Sequence, residues 1–546
     1  MSERREITRA AGTVGLLTVV SRVTGLVRDA VVSALFGAGL AADAFFVAYR
    51  IPNLLRRLVG EGAASAAFIP VLTDYHGRRG RAEADHAARV LFTVMAAVLT
   101  TLAAAGMLLA GPLTATFAPG FAATPEKLAL AIRLTRLVFP YLVFIGLVAV
   151  AMGVLNALRD FTAPALSPVV LNVVIVASAL ALTRWIGVYS LAVGILLGGL
   201  AQLLVQVPAL RRMGVPLSPC WEPRHPAVAR VGALMIPTLF GSAVYQLNVL
   251  VNTMFASLLP AGSISFLWYA ERLFEFPLGV FAVALSTAAL PSFSALAQRD
   301  PREFRDTVAF ALRLVNVIAL PASVGLMVTA EPLTSVLFQR GAFGAHAAEE
   351  TALAVRCFAV GLWSVASVRM LVPAFYALED TRSPVVAAAG AFVANLVGIA
   401  LFAGPLTSPG GSGPGAFLAA VTVSTSLLHL RHGGLALATS FAGTVNLLLL
   451  CLAYRWRVGA FPWGAWLGSA LRTGTAALVM VPIVRAITTR VAWFSGTVPL
   501  AARAAWLVLA VAAGTAAFVV ALAAIGGPEA VALRSALRRR LSRARA

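Results

Sequence analysis

The chain is short of charge, and almost wholly short of one basic residue. Only 12% of its 546 residues are charged, against 60% that are hydrophobic, and mean hydropathy is +0.88. Soluble domains are roughly half apolar, so this composition excludes a soluble globular fold. Lysine occurs once, at Lys127. A Gly-Lys phosphate-binding loop is therefore absent, which argues against ATP-driven transport by this chain alone, and a Schiff-base lysine has hardly a candidate. Three cysteines, Cys220, Cys357 and Cys451, are odd in number and far apart, which argues against a disulfide framework and makes structural thiols the default. Of the six histidines only His429 and His432 are close in sequence. Without carboxylate or thiol partners that pair makes a poor metal site, and no metal or cofactor is expected.

What the chain has instead is apolar runs from end to end. At about 20 apolar residues per crossing, helices are predicted near 11–35, 44–72, 88–111, 130–157, 164–183, 187–210, 229–258, 264–297, 305–338, 351–378, 383–404, 433–454, 464–487 and 500–525. The fold class expected is an all-α integral membrane protein of about fourteen transmembrane helices. The N-terminus "MSERREITRAAG" lacks a small-residue cleavage site before the first run, so no removal is expected. The net charge of +21 lies in short hydrophilic breaks and in the tail "RSALRRRLSRARA". That placement favours cytoplasmic loops and anionic lipid over nucleic acid. The breaks "YHGRRGRAEADHAAR", "RRMGVPLSPCWEPRHPAVAR", "QRDPREFR" and "YRWRV" alternate with "FGAGLAAD" and "LLPAGSIS", which have no basic residue. Both termini are thus expected in the cytoplasm.

An internal repeat divides the chain. "GPLT" at 111–114 matches "EPLT" at 331–334, and "NALRDFTAPALSPV" from Asn156 matches "YALEDTRSPV" from Tyr376, so Pro112 pairs with Pro332, Asp160 with Asp380 and Pro164 with Pro384. Six crossings per repeat give both copies the same orientation. The expected organisation is two pseudo-symmetric six-helix lobes around a cleft, 1–222 and 223–457, then two additional helices and a basic cytoplasmic tail in 458–546. Within the second lobe, 407–430 begins as a Gly/Pro/Ser linker, and its apolar part is short for a crossing; it reads as an interfacial or re-entrant segment.

Three predicted helices carry charge inside the membrane, where each charge costs on the order of 3 kcal/mol on insertion scales. The first has Arg22, Arg28 and Asp29, the second Asp43, Arg50, Arg56, Arg57 and Glu61, and the eighth Glu271, Arg272 and Glu275. Steps of 7, 7 and 4 residues put Asp43, Arg50, Arg57 and Glu61 near one face. Pro52 can bend the helix and shift that phase, so the wheel does not decide between Arg56 and Arg57. Internal pairing or snorkelling accounts for some of these charges, above all Arg57 with Glu61 and Arg50 near a helix end. The first two helices still hold five arginines against three acids. That excess calls for an anion, and the rigid guanidinium fork suits phosphate.

The segment "SRVTGLVRDAVVSALFGAGLAADAFFVAYRIPNLLRRLVGEGAASAAFIPVL", residues 21–72, closely resembles the N-terminal signature of the MurJ (MviN) lipid II flippases, of the multidrug/oligosaccharidyl-lipid/polysaccharide exporter superfamily. Similarity continues through "APGFA", "WYAERLFEFPLGV", "ALPS" and "PAFYALEDTRSPV", while 407–430 looks like an insertion. The resemblance implies a non-enzymatic, alternating-access transporter of the bacterial cytoplasmic membrane. Its implied cargo is lipid II, the undecaprenyl-pyrophosphoryl-MurNAc-pentapeptide-GlcNAc of peptidoglycan synthesis. It implies substrate-handling roles for Arg22, Arg28, Asp43, Arg56 and Arg272, which settles the second helix in favour of Arg56, with Ser21, Glu61, Glu271 and Glu275 in support. A monomer is expected, among membrane lipids, with the cell-wall synthesis machinery as a class of protein partner. The inside-negative potential is the expected aid to export, with the coupled cation unassigned. The alternatives are a flippase for another polyprenyl-linked glycan and an intramembrane polyprenyl-phosphate glycosyltransferase. For the latter, Asp43 and Glu61 lack an accompanying nucleophile or metal cluster.

Overall fold

A computed structural model describes residues 2–56, 63–216, 218–406, 420, 422, 424–528 and 530–531. Among them the regular structure is helical and no strand occurs, as a membrane-embedded chain requires: in hydrocarbon a helix satisfies its own backbone N–H and C=O groups. The first half runs through α1 (Ser2–Phe36), α2 (Leu40–Arg56), α3 (Ala63–Arg78), α4 (Arg81–Leu108), α5 (Ala110–Phe117), α6 (Pro125–Val138), α7 (Tyr141–Ala157), α8 (Thr162–Ile186) and α9 (Tyr189–Arg212). There follow α10 (Pro226–Ser257), α11 (Ser263–Pro277), α12 (Val283–Ala297), α13 (Pro301–Val328), α14 (Ala330–Leu337), α15 (Ala345–Val360), α16 (Leu362–Ala377) and α17 (Arg382–Phe402). The last three are α18 (His432–Arg457), α19 (Trp463–Thr488) and α20 (Leu500–Ile525).

Ten helical stretches among the described residues are long and apolar enough to cross a membrane, eleven if α15 and α16, bent by 45°, count as one. The expected fourteen are not reached by that criterion. The predicted crossings outside it correspond to α1, α2 with α3, and α10; α2 is 17 residues long and carries Asp43, Arg50 and Arg56. Large apolar side chains stand exposed along the apolar helices, among them Val386, Leu471, Val508 and Val520. Outward apolar surface on this scale marks a lipid-facing protein.

Packing divides the chain into two units, Met1–Ser265 and, from Phe266 onward, the rest of the described chain. The sequence-based boundary at 222/223 falls before α10. That helix buries Val231 and Met235 in a core with Phe68 and Leu72 of α3, Leu91 of α4, Val154 of α7 and Leu210 of α9, so it belongs with the first unit. Close approaches in this unit use small residues. A methyl group on Gly106 would meet the Phe139 ring at 2.0 Å, and one on Gly120 would meet the Ser257 carbonyl oxygen at 2.0 Å.

In the second unit Tyr269 packs between Phe338 and Phe343, with ring centroids 5.0 and 5.3 Å away. Asn316 ties α13 to two neighbours: its amide donates to the Trp466 carbonyl (3.0 Å) and its oxygen accepts from the Trp363 indole (2.7 Å). The two tryptophan rings stack at 5.2 Å. Helices α19 and α20 share a core of Ala476, Met480, Val484, Ala510, Phe518 and Leu522, against which Val317 and Val324 of α13 pack. Most of 407–423 lies outside the described residues. The chain after it returns along the end of α17, the Leu427 and Leu428 amides donating to the Leu401 carbonyl and Arg431 to Ala403.

The 220-residue offset of the sequence repeat reappears in three dimensions. Helix α4 and helix α13 begin and end 220 positions apart, as do α5 and α14. Arg159 and Glu379 are two of three non-glycine residues with positive φ among the described residues, at 64° and 59°. In each copy the next residue, Asp160 or Asp380, donates its amide five residues back, to Leu155 or Phe375. The carboxylate then accepts from the opening turn of the following helix, at Thr162 or at Arg382 and Ser383. This is the geometry of a helix C-terminus closed by a left-handed residue and followed by an N-cap.

Candidate functional site

The charged residues of α1 gather around Asn172 of α8. Arg28 uses three of its donors: Nε and one terminal nitrogen reach Asp29 Oδ1 at 3.0 and 2.7 Å, and the other terminal nitrogen reaches Asn172 Oδ1 at 3.0 Å. The Asn172 amide donates to the Ser21 carbonyl (3.2 Å) and the Thr24 hydroxyl (3.3 Å). Gly25 faces this amide, and a methyl group there would meet the Asn172 nitrogen at 3.5 Å, an ordinary contact. Ser21 therefore contributes its carbonyl to the cluster. Arg22, nearly two turns before the Arg28 pair, is half-buried, and its Nε is shut off from solvent with no hydrogen-bond partner among the described residues.

Asp43 stands apart from this cluster and is almost wholly buried. Lys127 of α6 places Nζ 2.7 Å from Asp43 Oδ2 and 4.3 Å from the centre of the Phe121 ring. The Gly262 amide donates to Oδ2 at 2.7 Å, and the amide and hydroxyl of Ser265 donate to Oδ1 at 3.0 and 2.7 Å. The carboxylate so closes the open amides at the start of α11, a site where negative charge is favoured. Its acceptor positions are taken by protein donors.

Farther along α2, Arg50 donates to the Thr253 hydroxyl at 2.7 Å, and Arg56 turns back one turn to Asn53 Oδ1 at 2.7 Å. Arg57 and Glu61 lie outside the described residues, so the pairing expected between them does too. In the second unit Arg272 lays its guanidinium over the Trp268 ring at 4.4 Å and approaches Glu275 Oε2 at 3.7 Å. Glu271 beside it is half-buried.

The first unit thus brings Ser21, Arg28 and Asp29 together, and the second brings Arg272 and Glu275 together. Sequence reading missed the partners: Lys127, Asn172, Thr253 and Ser265. Two had a visible signal. Lys127 is the chain's one lysine, and Asn172 is a lone amide in the apolar run "VVLNVVIVA". Such groups inside a membrane helix are there to meet a partner.

Comparison with known proteins bears on the same segments. The family model for "Lipid II flippase MurJ" matches residues 32–502. The lipid II flippase MurJ of Burkholderia cenocepacia is 36% identical over 483 residues, covering 87% of this chain and 89% of its own. A probable lipid II flippase MurJ of Vibrio cholerae is 38% identical over 448 residues, covering 80% and 81%. Among solved structures, a lipid II flippase MurJ described in an inward closed conformation superposes with a TM-score of 0.74 at 24% identity, covering 93% of this chain and 98% of that one. An inward-facing multidrug resistance transporter of the MATE family and MOP superfamily superposes with a TM-score of 0.62 at 14% identity, covering 81% and 98%. With a family match across most of its length and relatives well above 30% identity, the chain belongs to the MurJ family of multi-span membrane proteins.

Proposed function

We propose that this protein moves lipid II from the inner to the outer leaflet of the bacterial cytoplasmic membrane by alternating access, with no chemical step, and that Arg22, Arg28 and Arg272 handle its pyrophosphate. The observation that carries the reading is Arg22. It is a half-buried arginine in a membrane protein, and its Nε, closed off from solvent, has no hydrogen-bond partner among the described residues. A charge in that position needs a counter-ion, and a pyrophosphate supplies one with the geometry arginine prefers. Arg28 is held by Asp29 and Asn172 with its fork already oriented, which lowers the ordering cost of binding. The relatives named above bear the same cargo in their names.

In this reading both termini face the cytoplasm, as the arginine-rich breaks require. The inside-negative potential assists export, since moving one net negative charge outward through 100 mV gains about 2.3 kcal/mol. The test is translocation of labelled lipid II in proteoliposomes, with complementation of a flippase-depleted strain. Arg22→Ala, Arg28→Ala and Arg272→Ala should each abolish both while the protein remains in the membrane, and normal translocation by all three overturns the assignment. Export that persists unchanged after an ionophore removes the potential refutes the energetic part. Preference for a different polyprenyl pyrophosphate in native mass spectrometry would redirect the cargo to another lipid-linked glycan.

A further inference from the structure

Away from these arginines, three side chains with metal-binding chemistry converge on one spot of the first unit. His86 lies in the opening turns of α4, and Glu222 and His225 lie in the segment that leads into α10. His86 Nε2 is 3.1 Å from Glu222 Oε2, and the His86 and His225 rings meet edge to face with centroids 5.4 Å apart. One ligand-capable atom from each of the three lies within 4.8 Å of the other two. The segment is pinned where it must be for this. The Cys220 amide donates to the Thr93 hydroxyl at 2.8 Å, Arg89 Nε donates to the Ser218 carbonyl at 3.1 Å, and the His225 amide closes a turn on the Glu222 carbonyl at 3.0 Å.

We infer that His86, Glu222 and His225 form a binding site for a zinc-like divalent transition metal, with water in the fourth position. Two imidazoles and one carboxylate are donors that zinc accepts, whereas magnesium and calcium call for an all-oxygen shell. Ligand atoms around tetrahedral zinc sit about 3.3 Å apart, as its bond lengths of about 2.0 to 2.2 Å dictate. His86 and Glu222 already have that spacing, so the ion replaces the proton they share and His225 closes in. The site does not depend on the transport reading, because none of its residues belongs to the arginine clusters.

Binding has a structural consequence. His225 Nδ1 accepts the Ala227 amide at 3.2 Å and caps the start of α10. A neutral imidazole has a single acceptor nitrogen. If Nδ1 binds the metal it leaves the amide, and if Nε2 binds, Nδ1 carries the proton and cannot accept. Either way the metal exchanges the α10 cap for a staple between α4 and the segment preceding α10.

The full chain, purified into nanodiscs and freed of metal by chelator, is titrated with zinc in competition with a chromogenic chelator, while amide exchange is followed. One zinc per chain is expected, with faster exchange at Ala227 when it is bound. His86→Ala and His225→Ala should weaken binding at least tenfold, and His76→Ala, an exposed histidine on α3, should not. His86→Gln keeps a hydrogen bond to Glu222, guarding against a folding defect, and should lose zinc equally. Substoichiometric uptake by the unmodified chain, or affinity retained in His86→Gln, overturns the site. Undiminished protection at Ala227 with zinc bound overturns the exchange of cap for staple.

Discussion

Lys127 and Asp43, 84 positions apart, form a buried ion pair at 2.7 Å, with 9% and 1% of their side chains exposed. A buried pair is costly to break from one side, because the charge left behind has neither water nor partner. Lys127→Met should therefore destabilise the protein by about 3 kcal/mol. Asp43→Asn combined with Lys127→Met should recover part of that loss. Thermal unfolding of the single and double variants in detergent checks the ordering, and a double variant as weak as Lys127→Met alone would contradict it.

Arg28 is oriented by Asp29 and Asn172 together, which makes its shape matter as well as its charge. Lysine keeps the charge but cannot reach both partners with a planar fork. Loss of one charge-assisted hydrogen bond is worth about 1.5 kcal/mol, or roughly tenfold. Arg28→Lys and Asn172→Ala should each slow lipid II translocation by about that factor, short of the complete loss expected for Arg28→Ala. Rates in proteoliposomes at matched protein density decide this.

Gly120 sits against the end of α10, its amide donating to the Ser257 hydroxyl at 3.0 Å. Because an added methyl would strike backbone there, relief requires the helix end to move. Gly120→Ala should lower stability by about 2 kcal/mol through overpacking. Gly111→Ala, where the added methyl meets open space, should be close to neutral by the same thermal measurement.

Asp300 caps α13 from outside the apolar run, accepting from the amides of Arg302 at 2.8 Å and Glu303 at 3.1 Å. The Glu303 amide first, then that of Arg302, hold its carboxyl below the ordinary carboxylate value. A depressed folded pKa means that its contribution is present above the unfolded value, about 3.9, and is lost as pH falls through the folded one. Protection factors of the amides in the first turn of α13, which correct for the slower intrinsic exchange in acid, should fall on acidification in the unmodified chain. Asp300→Asn keeps the acceptor and loses the titration, so it should flatten that dependence.

Helix content, the repeat and the charged helices were legible in the sequence because each is a local or strictly periodic property. Partners were not. Asn172 meets Arg28 across 144 positions and Thr253 meets Arg50 across 203, and no pattern within one helix encodes such distances. The helical wheel also left Arg56 and Arg57 undecided, because Pro52 can shift its phase. In the structure α2 continues through Pro52 to Arg56, which folds back on Asn53, and the faces taken by Arg57 and Glu61 lie outside the described residues. The histidine site was hidden for a related reason. His86 and His225 come from different breaks, 139 positions apart, whereas the histidines that are neighbours in sequence are His429 and His432.

The matched turns at Arg159 and Glu379 carry opposite charges on the same unusual backbone angle. What the two halves of the chain hold in common at that corner is a path of the main chain, enforced by an aspartate one step later, while the side chain at the corner itself was left open to change sign. The two copies share a bend and carry opposite electrostatics on it.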